Sequence, residues 1–154
     1  MPPIKEELIQ KLDEQKLIKL INKGYIEDPK GRCKVVIYRH QVPKGVPDIQ
    51  VVCNLTKNGV NPTVLSPYFF LCIITSLCRR LDTGYDQGYF DIKEQYHNYL
   101  LHINESVYHG VIIPPRVCQK KNVELATPLM CFTRVPFGWS PADYLALRMF
   151  TRSL

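Results

Sequence analysis

No Cys-x-x-Cys pair occurs in this 154-residue chain, and none of its four histidines stands at a zinc-ligand spacing from a cysteine. Those absences exclude the common structural zinc modules. There is no glycine-rich phosphate loop and no nucleophile elbow, so neither a P-loop nucleotidase nor a serine hydrolase is indicated. The longest apolar run, Tyr68–Cys78, has about half the length a membrane span needs. Met1–Glu7 contains no apolar signal region. Internal repeats and low-complexity tracts are missing, and no linker divides the chain, which therefore reads as one domain over residues 1–154.

Hydrophobic residues at 45% and charged residues at 22% are those of a globular protein with an ordinary core. The excess of 20 Lys+Arg over 14 Asp+Glu makes the chain basic. Residues 1–60 carry 11 basic and 7 acidic groups and residues 116–154 carry 6 and 2, while residues 61–115 carry 3 and 5. Basic flanks around an acidic centre suit a phosphate backbone held beside a cation site, and equally a solvated basic surface. Cys33, Cys53, Cys72, Cys78, Cys118 and Cys131 mostly have apolar neighbours, where a reduced thiol behaves as a small hydrophobe. That usage points to an intracellular setting, cytoplasm or nucleus, and not to secretion. The triplets Asn54-Leu55-Thr56 and Asn104-Glu105-Ser106 then carry no glycan.

Ile4, Leu8, Leu12, Leu17, Ile18 and Ile21 follow helical spacing, with Gly24 as the expected C-cap and the glutamates and lysines as the wet face. Strands are expected at Cys33–Tyr38, Ile49–Cys53, Tyr89–Lys93, Val107–Ile113 and Leu129–Val135. Lys57-Asn58-Gly59 reads as a turn, about Ser66 to Leu81 as a mostly buried helix, Val117–Thr127 as a polar loop or hairpin tip and Ala142–Arg152 as a helix. The irregular alternation of strands and helices predicts an α+β fold with a mixed or antiparallel sheet and packed helices.

One segment stands out. In Tyr89-Phe90-Asp91-Ile92-Lys93-Glu94-Gln95-Tyr96 an apolar, aromatic run delivers a single carboxylate, and a second aromatic follows five residues later. A strand-end Asp can give a hard oxygen ligand to a divalent cation, or it can cap a neighbouring turn. Phe132-Thr133-Arg134-Val135-Pro136-Phe137-Gly138-Trp139 begins 41 residues after Asp91. Upstream lie Val42-Pro43-Lys44-Gly45, Asp48-Ile49-Gln50-Val51-Val52 and Asn58-Gly59-Val60-Asn61. In this order the segments resemble the reverse transcriptases, RNA-directed DNA polymerases of retroelements, with retrotransposon polymerases the nearest likeness. The resemblance covers about residues 15 to 150. It implies fingers over about residues 1–84 and a partial palm over about residues 85–154.

What the resemblance implies is specific. Asp91 would be the catalytic, metal-binding carboxylate, with the Ile92 backbone carbonyl as a second ligand to Mg2+ or Mn2+. Two such cations about 4 Å apart would serve phosphoryl transfer. Tyr96 would be the aromatic gate against the sugar, with ordinary core packing as its alternative. Lys44, Gln50, Phe137 and Gly138 would meet the nucleotide, and Arg134 and Trp139 the template; a plain turn lysine and a sheet-edge arginine are the competing accounts of Lys44 and Arg134. The implied partners are an RNA or DNA template-primer, a deoxynucleoside triphosphate and the remainder of a polymerase polypeptide, with no membrane. Departures accompany the likeness. Gln50 stands where an Arg is usual, Asn54 where an Asp is usual, and Ala142-Asp143 where Ser-Pro is usual. The chain ends at Leu154 before the motif that supplies the remaining carboxylates, and no Asp-Asp pair occurs in it. The expectation is a nucleotidyltransferase fragment that is inactive alone. Its alternatives are a non-enzymatic nucleic-acid-binding remnant and an interaction domain.

Overall fold

A computed structural model of the chain describes residues 5–45, 47–70, 84, 88, 91–121 and 128–153. Helix α1, Glu6–Asn22, has Glu6 and Glu7 in its first turn and Lys19 in its last, each at the dipole end that favours its charge. It stops where helical spacing meets glycine. Gly24 takes φ +66°, its N–H donates to the Ile21 carbonyl at 3.0 Å, and the Tyr25 N–H donates to the Leu20 carbonyl at 2.9 Å. That pair of bonds closes a Schellman terminus, with glycine one position beyond the Lys23 cap. Leu17 is buried in the central cluster, and Ile18, Leu20 and Ile21 pack against it. The wet face has one exception: Asp13 is buried, and the Arg39 guanidinium donates to it at 2.9 Å.

The fold is a small mixed α+β arrangement with antiparallel sheets. Strands β1 (Ile26–Glu27), β4 (Gly110–Ile112) and β5 (Leu129–Phe132) form one sheet in the order β1-β5-β4. Strands β2 (Tyr38–Pro43) and β3 (Ile49–Asn54) form a hairpin with Tyr38 opposite Asn54 and Pro43 opposite Ile49. The strand expected at Cys33–Tyr38 is displaced. Residues 33–37 run beside β4 through a single parallel bridge, Val36 to Gly110, while the hairpin ladder takes over from Tyr38. The Gly110 and Ile37 N–H groups bond the carbonyls of Val35 and Gly110, at 2.9 and 2.7 Å. Ile37 is buried and Val36 exposed at this junction between the two sheets.

Other boundaries move for local reasons. Val107 and Tyr108 form a turn after the short helix α3, Ile103–Ser106, so the strand expected from Val107 starts at Gly110. The His102 ring nitrogen accepts the Asn104 N–H at 3.2 Å and caps that helix. The expected loop at Val117–Thr127 is helical over Pro115–Lys121 (α4), where proline supplies a preset first turn and Val117 is fully buried; residues 122–127 lie outside the described residues. Strand β5 ends at Phe132 rather than Val135 because the chain changes partner. The Leu101 N–H donates to the Thr133 carbonyl and the Val135 N–H to the Tyr99 carbonyl, at 2.9 and 3.0 Å. Short helix α2 (Val60–Thr63), a 3-10 turn (Gln95–Asn98) and helix α5 (Ala142–Ser153) complete the elements. Ser66–Phe70 of the expected buried helix has no regular structure, and the rest of it, to Leu81, lies outside the described residues. Among the described residues no helix is long and apolar enough to cross a membrane.

The packing sets a stability test. Leu17 is 1% exposed and Leu8, on the same helix, 38%. Leu17→Ala is expected to cost about 2–5 kcal/mol in urea unfolding, and Leu8→Ala under about 1 kcal/mol because less area leaves water. Equal losses for the two variants would refute this placement of the helix.

Candidate functional site

The chain leaves Asp91 and Ile92 without strand structure, turns at Lys93-Glu94 and enters the 3-10 turn that carries Tyr96. Tyr89 and Phe90 lie outside the described residues, so the strand expected there is described only over Asp91–Lys93, where none forms. Glu94 holds this reversal with φ +53°, a conformation uncommon for a side chain larger than glycine. The cause is at the end of α1. Both Glu94 carboxylate oxygens accept from Lys23 Nζ at 2.6 Å. That hydrogen bond, ahead of any longer-range charge, holds the Glu94 carboxyl below its ordinary pKa. Glu94 thus anchors a turn through its pairing with Lys23.

The reversal brings Tyr96 edge-on against Phe137, with ring centroids 4.9 Å apart. Its hydroxyl donates to Asp143 Oδ1 of α5. Burial first, and then the Asp143 carboxylate, push the Tyr96 hydroxyl up to about 12. His97, to which the residue order gives no readable role, packs 5.2 Å from Tyr25, 5.4 Å from Phe137 and 6.4 Å from Phe132. Burial lowers its pKa, against the opposing pull of Glu94.

Above this aromatic floor lies a cavity of about 630 Å³. Asp91, Ile92, Tyr96, Lys44, Gln50 and Phe137 line it together. Asp91 is exposed at its rim, and no ion pair joins it to the described residues. Lys16 and Lys19 of α1 and Lys23 at its C-cap line the same space. Spacings of three and four residues put these lysines on one helix face, a signal present in the sequence and hidden there within a generally charged face. Lys16 pairs with Asp48 at 2.9 Å, which lowers the Asp48 pKa first through that hydrogen bond. Lys23 pairs with Glu94. Among the described residues no carboxylate pairs with Lys19, Lys44 or Lys93, the other lysines of the wall.

Three expected site residues face elsewhere. The Arg134 guanidinium lies 5.5 Å from the centroid of the Tyr25 ring, at a bridge to Leu100. Trp139 packs on the core, edge against His109 at 5.5 Å, with its indole nitrogen buried and without a hydrogen-bond partner among the described residues. Gly138 has φ +101°, and a Cβ there would overlap the Cys53 carbonyl. The turn's close approach is therefore to strand β3. Asn61 clamps it, donating to the Gly138 carbonyl and accepting from the Ser140 N–H, both at 2.9 Å, and the Cys53 N–H donates to the Phe137 carbonyl at 3.2 Å.

Asp91 and the Ile92 carbonyl would give Mg2+ or Mn2+ two of about six oxygens. Among the described residues no group of three or more His, Cys, Asp or Glu side chains comes together to hold a metal ion. The donor set present does not fit the implied cation pair.

Two measurements check this geometry. A tyrosinate absorbance titration is expected to show one hydroxyl ionising near 12, and Tyr96→Phe should remove that step. Because the folded value is raised, the linked stability is complete below the unfolded tyrosine pKa of about 10 and falls as pH rises through about 12. An unchanged curve in Tyr96→Phe would contradict the Asp143 contact. Gly138→Ala should lose about 1–3 kcal/mol or more, and wild-type stability in that variant would contradict the docking on β3.

Compared with known proteins, the chain matches no family model and no curated relative.

Proposed function

We propose that the chain is the fingers and partial palm of a retroelement reverse transcriptase, able to hold nucleotide or nucleic-acid phosphate but not to polymerise alone. One observation carries the reading: a lysine-walled cavity gathers Asp91, Tyr96, Lys44, Gln50 and Phe137. These five are among the residues the motif order selects, although they come from three separated segments; Arg134, Gly138 and Trp139 do not join them. Phosphates would meet the lysines of α1 and of the hairpin. A sugar would meet the Tyr96 and Phe137 rings. Gln50 offers a hydrogen bond where a guanidinium would offer a charged fork, so the grip on a triphosphate is weaker than an arginine would give.

A second reading, binding without chemistry, is favoured for the isolated chain by the donor count around Asp91. Lysines outnumber carboxylates on the wall, so the cavity attracts anions more readily than it completes a cation site. Both readings predict the same behaviour for these 154 residues and differ only in what a longer polypeptide would do.

Primer extension on RNA and DNA templates with Mg2+ or Mn2+ is expected to show no product. Template-dependent synthesis that Asp91→Asn abolishes would overturn the proposal. Fluorescence anisotropy with a labelled single-stranded oligonucleotide is expected to show weak binding without sequence preference, falling steeply with salt. Lys19→Ala and Lys44→Ala should each reduce the salt slope by about one. No binding at low salt would favour the interaction-domain alternative and refute the cavity's assigned role.

A further inference from the structure

We infer that Cys33 and Cys131 are a reversible dithiol–disulfide pair, oxidised by low-molecular-weight disulfides of the glutathione class. The placement follows from one glycine. Gly110 of β4 faces Cys131 of β5 in register, and a Cβ built on Gly110 would overlap the Cys33 sulfur. Register partners on one face of an antiparallel sheet have Cβ atoms about 5 Å apart. The Cys33 sulfur therefore occupies the space of the missing side chain, immediately beside Cys131. A disulfide needs its sulfurs about 2 Å apart; no side chain on Gly110 stands between the two thiols, so rotation about each Cα–Cβ bond can turn one sulfur toward the other, and the backbone sets the separation of the Cβ atoms.

The two thiols differ in access. Cys33 is partly exposed, with its thiol directed at the Val35 carbonyl at 3.4 Å. Cys131 is 2% exposed but borders a cleft of about 190 Å³ with Asp28, Arg32 and Ser106. Burial first, then the neighbouring Cys33 thiol, push Cys131 up to about 12. Cys33 is accordingly the attacking group and Cys131 the resolving one. The Cys33 thiolate attacks one sulfur of glutathione disulfide and expels a glutathione thiolate. Cys131 then loses its proton, attacks the Cys33 sulfur and expels the second glutathione. One disulfide and two protein thiols become one protein disulfide and two glutathione thiols, with two electrons passing to the oxidant. The bond would staple the segment that leads into the β2–β3 hairpin onto the middle strand of the sheet.

The test uses the folded chain, incubated with glutathione disulfide, alkylated with iodoacetamide and mapped with trypsin without reduction. The expected product joins the dipeptide Cys33-Lys34 to the peptide Asn122–Arg134, with two hydrogens lost and full reversal by dithiothreitol. The thermal midpoint should rise on oxidation, since the bond closes a loop of about one hundred residues, and Cys33→Ser should show neither the linked peptide nor the rise. The wild-type map decides the matter even if that variant folds poorly. Free alkylation of both cysteines, a Cys33–glutathione adduct that never resolves, or linkage of Cys33 to other cysteines in equal yield would each overturn the inference.

Discussion

One wall of the cavity depends on a backbone contact with no room for a side chain. The Pro136–Trp139 turn presses Gly138 against the Cys53 carbonyl of β3, and Asn61 bonds it from both ends. This contact couples the β2–β3 hairpin to the three-stranded sheet, which the chain otherwise joins by the extended residues 33–37. Each hydrogen bond is worth only about 1 kcal/mol net, so position rather than strength is what the clamp supplies. It fixes the hairpin that carries Gln50 and Lys44 against Phe137, beside the Lys16–Asp48 and Arg39–Asp13 pairs that tie the same hairpin to α1. A β-carbon at position 138 would separate the two sheets at the point where the cavity wall closes.

The charges around that wall work in a similar way. Lys16–Asp48 and Lys23–Glu94 are between a third and a half exposed, the regime in which an ion pair contributes little to stability. Their effect is on conformation. Lys23 holds Glu94 in its left-handed turn, and the turn returns Tyr96 to the cavity. An anion entering the cavity would compete for the same ammonium groups, so on the proposed reading binding and the shape of the 91–96 segment would be linked.

Much of the fold was legible in the residue order because it follows from periodicity and backbone chemistry. The spacing of Leu17, Ile18 and Ile21 together with Gly24 defines α1 and its end, and the Ile49–Asn54 strand and the Ala142–Ser153 helix lie where their patterns put them. The failures share a cause, which is dependence on a partner distant in sequence. Residues 33–37 look like a strand, but their neighbour is β4, more than seventy residues away, and only one bridge forms. No local rule places Asp13 opposite Arg39, or Glu94 opposite Lys23. The likeness in motif order brought Asp91, Tyr96 and Gln50 onto one list. It gave no hint of the α1 lysines, which carry most of the wall's positive charge, and Trp139 belongs to the core.

Asp143 shows how far such a likeness can inform the chemistry. It stands at a point of departure from the resembled pattern, yet it accepts the Tyr96 hydroxyl bond and so fixes the ring bordering the cavity. A ring tethered at its hydroxyl and packed edge-on against Phe137 loses torsional freedom. Under the proposed reading it would offer an entering sugar a wall already in place, with little ordering left to be done on binding. The carboxylate that helps build that wall is occupied by its hydrogen bond, and Asp48 and Glu94 are occupied by lysines. Asp91 thus stands as the one carboxylate of the cavity lining that makes no ion pair with the described residues. One carboxylate cannot supply the ligands of two cations, whereas lysines that pair with no carboxylate of the described residues are suited to phosphate. On the proposed reading, the balance of charge on the wall would separate holding a polyanion from transforming it.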